Sequence, residues 1–149
     1  MRQALHLMNV LSEKDLKLTS QGYIPPKTVA ELYEIGSHSW NSDWYKQKSE
    51  PKTEEVQVLR VVLKECGLIK TRVGKLSLTA KGKQLLVDHN ELMRTIILFL
   101  FRDYNTGWLD SYEDNEVGNL GRLYSLWLLH HYGADWRNTG FYADEYSKA

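Results

Sequence analysis

A single cysteine, three prolines and no long apolar run exclude several architectures for this 149-residue chain. Cys66 alone cannot form an intrachain disulfide, so a stapled secreted scaffold is excluded and a reducing, cytoplasmic setting is expected. The most apolar run, Ile96–Phe101, is far shorter than the roughly 20 residues a membrane-spanning helix needs, so no membrane partner is expected. Met1–Val10 contains His6 and Asn9 and is not expected to act as a secretory leader. The formal net charge is zero, well short of the strongly basic balance of a dedicated nucleic-acid binder.

Catalytic and metal-binding signatures are also missing. There is no Gly-x-Ser-x-Gly, no phosphate loop and no dinucleotide fingerprint. Cys66 falls on the apolar side of a predicted helix, where thiols are inert. His130 and His131 are adjacent, so on a helix they point about 100° apart and serve one metal poorly. His6, His38 and His89 are scattered, and His131 falls on an apolar stripe, which predicts a core or boundary residue. Asp110, Glu113, Asp114 and Glu116 lack the glycine and bidentate spacing of a calcium loop and read as a solvated acidic connection. The chain is therefore expected to be no enzyme, with no cofactor and no metal.

What is present is enough apolar material for one core: 42% hydrophobic residues, including five Trp and nine Tyr. Charge is uneven. Residues 1–90 carry 14 Lys+Arg against 10 Asp+Glu, and residues 91–149 carry 5 against 9. This divides a single domain into a basic part, 1–90, and an acidic helical part, 91–149. Both ends read as boundaries within a longer chain, because helical patterns start and stop there without caps.

The pattern predicts helices over 1–11 and 27–35, the second announced by Pro25-Pro26. Residues 36–53 read as a surface loop pinned by Trp40 and Trp44. A third helix, Glu54–Cys66, presents Val58, Leu59, Val62, Leu63 and Cys66 on one face, and Gly67 is placed to end it. Leu68–Arg72 and Lys75–Leu78 alternate apolar and polar residues about Val73-Gly74, a hairpin signal. Thr79 is placed to cap the next helix. Glu91–Arg102 reads as a central buried helix, and Val117–His131 and Phe141–Ala149 as further helices. Leu-x-Leu-Thr-x-x-Gly occurs twice, at Leu16–Gly22 and Leu76–Gly82. A strand ending in a threonine cap accounts for both copies. It also suggests that the first strand pairs with the hairpin to make a three-stranded antiparallel sheet.

The fold class is accordingly mainly α (α+β): a winged-helix-like core with a small antiparallel sheet, plus additional C-terminal helices. The candidate nucleic-acid-binding residues are Lys64, Lys70, Arg72, Lys75, Lys81 and Lys83, six cations with only Glu65 among them. Phosphate backbones attract such clusters because each neutralised phosphate releases counterions. The alternative is a solvated hairpin whose charges blunt exposed strand edges. The third helix argues against base reading. Its exposed candidates are Glu54, Glu55, Gln57, Arg60, Lys64 and Glu65, and the acids repel phosphates. The C-terminal aromatics Trp108, Tyr112, Tyr132, Trp136, Phe141, Tyr142 and Tyr146 offer a second kind of surface, for a protein partner or a homodimer.

Leu18-Thr19-Ser-Gln-Gly22-Tyr-Ile-Pro-Pro26, Lys52-Thr-Glu-Glu-Val56, Cys66-Gly-Leu-Ile69 and Gly74-Lys-Leu-Ser-Leu-Thr79 with Lys81-Gly82 form a recognisable series. Over residues 16–86 it resembles the C-terminal region of some bacterial plasmid open-reading-frame-three-like proteins of unknown function. The resemblance implies a winged-helix-like module within a larger bacterial protein and supplies no catalytic residues. The expected function is a non-catalytic module that contacts nucleic acid non-specifically through a basic wing. The alternative is an interaction or oligomerisation module using the acidic, aromatic C-terminal helices.

Overall fold

The computed structural model describes residues 1–36, 49–104 and 122–148. Among them the elements run α1 (Arg2–Glu13), β1 (Leu16–Lys17), α2 (Pro26–Gly36), a 3-10 turn (Glu50–Lys52), α3 (Glu54–Glu65), β2 (Ile69–Arg72), β3 (Lys75–Leu78), α4 (Ala80–Leu86), α5 (His89–Arg102), α6 (Arg122–Tyr132) and α7 (Thr139–Tyr146). The class is mainly α (α+β), with one three-stranded antiparallel sheet in the order β1-β3-β2. The chain divides into two compact units, Met1–Ile97 and Leu98–Ala149. The division falls within α5.

In the first unit the apolar stripes of the helices meet the inner face of the sheet. Leu7, Met8 and Leu11 of α1, Val29 and Leu32 of α2, and Val56, Val62 and Leu63 of α3 are buried with Leu76 and Leu78 of β3. Each fully buried side chain of this size contributes roughly 1.5–3 kcal/mol. Val58 and Leu59, expected in the core, are half-buried, because the buried stripe of α3 starts at Val56 instead.

Local chemistry ends α3 cleanly. Gly67 has φ +70°; its N–H donates to Lys64 O at 2.8 Å, and the N–H of Leu68 donates to Leu63 O at 2.9 Å. These two bonds make a Schellman cap, which needs a left-handed residue where glycine stands. The hairpin turn puts Val73 (φ +48°) and Gly74 (φ +68°) in the left-handed region, the type I′ pattern that matches strand twist.

The two Leu-x-Leu-Thr-x-x-Gly copies diverge beyond their strands. Leu16 does pair with Leu76. Thr79 caps α4, its Oγ accepting the Gly82 N–H at 2.9 Å. Thr19 instead opens a turn: Gly22 N–H donates to Thr19 O, and Gly22 has φ +82°. Left-handed backbone at Gly22 cannot continue a helix, so the threonine-cap expectation fails for the first copy.

Within α5 only Leu92 is buried; Met93, Ile97 and Leu98 are exposed, so this helix is not central. Its early turns contact the first core, as Cys66 Sγ to Thr95 O at 4.0 Å marks. In the second unit, Leu128 of α6 is buried while Leu126, Trp127 and Leu129 are exposed. His131 is also exposed, stacked on Trp127 with ring centroids 4.5 Å apart, and is not a core residue. Arg137 lies over the Phe141 ring at 4.5 Å. Trp40, Trp44, Trp108, Asp110, Tyr112, Glu113, Asp114 and Glu116 lie outside the described residues.

Candidate nucleic-acid interface

The register of the sheet decides which cations share a surface. Residues directly opposite on antiparallel strands project from the same face, and side chains alternate along each strand. Arg72 is opposite Lys75, and Lys75 is opposite Lys17. Lys70 is opposite Ser77. Ile69, Leu76 and Leu78 occupy the buried face, which leaves Lys17, Lys70, Arg72, Lys75 and Ser77 on the outer one.

The outer face therefore carries a transverse row, Lys17–Lys75–Arg72, with Lys70 one step along β2. At roughly 4.8 Å between strands the row spans about 10 Å. All four cations are exposed, and none has an ion-pair partner among the described residues. Lys70, Arg72, Val73, Lys75, Ser77, Leu78 and Asp15 line a shallow open depression of about 420 Å³. Asp15 is its one acid. The Leu18 N–H donates to Gly74 O at 2.9 Å, which fastens the end of β1 to the turn and fixes Lys17 beside Lys75.

The other three expected cations are placed differently. The Lys81 ammonium donates to Cys66 O at 2.8 Å and so neutralises the C-terminal carbonyl end of α3. Lys64 sits in the last turn of α3, 3.8 Å from Glu65. Lys83 is exposed on α4. None of these three belongs to the sheet, whereas Lys17, which sequence reasoning missed, does. The only sequence signal for Lys17 is the shared Leu-x-Leu-Thr pattern, which implies strand pairing without marking the lysine between the two leucines.

Helix α3, whose acids argue against base reading, uses its other polar groups within the fold. Arg60 Nη1 lies 2.9 and 3.0 Å from the two carboxylate oxygens of Glu50 and 2.9 Å from Gly22 O. Glu50 is 5% exposed, and it also accepts the Ile24 N–H at 2.6 Å. Gln57 Nε2 donates to Glu50 O at 3.0 Å. Gln57 and Arg60, expected to be exposed, are both part-buried and hold the 3-10 turn and the segment before α2. Glu50 itself is not foreseeable, because a glutamate beside proline and lysine in a polar stretch carries no sign of burial.

No group of His, Cys, Asp and Glu able to hold a metal occurs among the described residues. No described helix is long and apolar enough to cross a membrane. No protein-family model, curated protein or solved structure matches the chain.

Proposed function

We propose that this chain is a non-catalytic, winged-helix-like module that contacts nucleic acid without sequence preference, through its hairpin and the outer face of its sheet. The observation that carries the reading is the set of exposed cations on one face, Lys17, Lys70, Arg72 and Lys75, without ion-pair partners among the described residues. The element order α1-β1-α2-α3-β2-β3 with β3 central supports the winged-helix-like assignment. Phosphate contacts position a protein on nucleic acid without reading sequence. The internal engagement of Gln57 and Arg60 agrees with that limit, since it removes the donors that α3 would need at base edges. The buried thiol of Cys66 suits a reducing, cytoplasmic setting.

Titration of the full chain with a labelled duplex at low salt tests the proposal. The parent is expected to bind, and Lys70→Glu/Arg72→Glu/Lys75→Glu to bind at least tenfold more weakly. Equal affinity in the two proteins ends the reading.

A second reading, self-association through the C-terminal unit, is supported by exposed Leu126, Trp127, Leu129 and Trp136. Sedimentation across a concentration series separates the two. A dimer indifferent to nucleic acid favours the second, and a monomer that binds duplex favours the first.

A further inference from the structure

We infer that Lys17 is a binding residue of this site, and that the Lys17–Lys75–Arg72 row grips the backbone of a double helix; this rests on the nucleic-acid reading above. The first ground is energetic. Like charges directly opposite on neighbouring strands destabilise a sheet by a few tenths to about 1 kcal/mol per pair. Here Lys75 has a cation opposite it on both sides, Arg72 and Lys17. No described carboxylate pairs with any of the three. Blunting an edge would require charge on the edge strands alone, yet Lys75 stands on the central one. A row that opposes folding fits a surface whose counter-charge arrives with a ligand.

The second ground is the chemistry of the face. Proteins that hold single-stranded nucleic acid without sequence preference combine a cationic groove with aromatic rings on which the bases stack. Among the described residues the outer face consists of Lys17, Lys70, Arg72, Lys75 and Ser77, with Asp15 at its margin, and has no ring. A ligand that binds here must present phosphates in a fixed array and keep its bases to itself, as a duplex does. The third ground is placement. Lys81 is engaged by Cys66 O at the end of α3, and Lys64 sits off the sheet beside Glu65. On the sheet itself four cations, Lys17, Lys70, Arg72 and Lys75, remain to contact phosphates, while Lys83 stands exposed on α4 outside it.

The count predicts a salt slope. With four phosphates neutralised, log K falls against log salt with a slope of about −3.6, or roughly 150-fold between 50 and 200 mM. Losing Lys17 reduces the slope to about −2.7, or roughly 40-fold over the same range. The experiment titrates the full chain with a 20-base-pair duplex, and with one of its strands alone, across that salt range. The variants are Lys17→Gln, Lys75→Gln and, as a control outside the sheet, Lys83→Gln. Thermal midpoints are read alongside.

Lys17→Gln and Lys75→Gln should each flatten the slope by about one while their melting midpoints stay level or rise. Lys83→Gln should match the parent, and the single strand should bind more weakly than the duplex. If Lys75→Gln flattens the slope and Lys17→Gln does not, the inference is overturned and the nucleic-acid reading stands. Tighter binding of the single strand than of the duplex overturns it in the same way. If the parent binds neither ligand at 50 mM salt, both fall together.

Discussion

Replacing Arg60 with methionine tests whether α3 carries a lock or a contact surface. The guanidinium bridges the buried Glu50 carboxylate and Gly22 O, with distances of 2.9 to 3.0 Å. The Arg60 side chain is 18% exposed and that of Glu50 is 6% exposed, so little solvent screens the pair. An exposed ion pair contributes about 0–1 kcal/mol. Removing one partner of a buried pair costs about 3–5 kcal/mol, because it strands the other charge. Against a total stability of roughly 5–15 kcal/mol, Arg60→Met should remain folded but lower the urea midpoint by about 2 M. Glu50→Gln/Arg60→Met should recover about 1–3 kcal/mol of that loss, since the stranded charge is gone and a carbonyl still accepts the Ile24 N–H. Urea unfolding of the parent, Arg60→Met, Glu50→Gln and the double variant, followed by tryptophan fluorescence and circular dichroism, gives all four corners of the cycle. A loss below about 1 kcal/mol for Arg60→Met would refute the lock. So would a loss of duplex binding at unchanged stability, which would make Arg60 a ligand contact.

Two further substitutions test local geometry against propensity. Helix propensity alone says that Gly82→Ala stabilises α4 by about 1 kcal/mol. A Cβ at Gly82, however, would stand 2.2 Å from Leu68 O and 2.9 Å from Leu78 Cδ1, so a loss of about 1–3 kcal/mol is expected, and any rise in melting temperature would contradict the packing. Val73 is 91% exposed and holds a β-branched side chain at φ +48°, so Val73→Asn should gain about 1 kcal/mol. A lower melting temperature for Val73→Asn would show that the turn geometry is wrong.

The features legible in the sequence are those set within a few residues. Gly67 ends α3 because a Schellman cap needs left-handed backbone at that point. Val73-Gly74 turns the hairpin because two residues between alternating runs admit few other conformations. Thr79 caps α4 because its hydroxyl reaches the Gly82 N–H one turn on. Periodicity locates the apolar stripes but does not say what covers them. It therefore predicts a central α5, although Met93, Ile97 and Leu98 are exposed, and it leaves His131 as a core or boundary residue without showing that it is exposed beside Trp127.

The candidate site depends on pairings between distant segments. Local pattern places Lys70, Arg72 and Lys75 on one hairpin. Only the β1–β3 register sets Lys17 beside them and leaves Lys64, Lys81 and Lys83 outside the sheet. Composition cannot show that Arg60 and Gln57 turn inward, because the partner that holds them, Glu50, precedes their helix and is buried only when the chain closes around it. The helices, the hairpin turn, the caps at Gly67 and Thr79 and the positive balance of the first part follow from neighbouring residues and composition. Tertiary structure alone decided which charges face outward together and which are neutralised inside, because electrostatic partners are chosen by proximity in space.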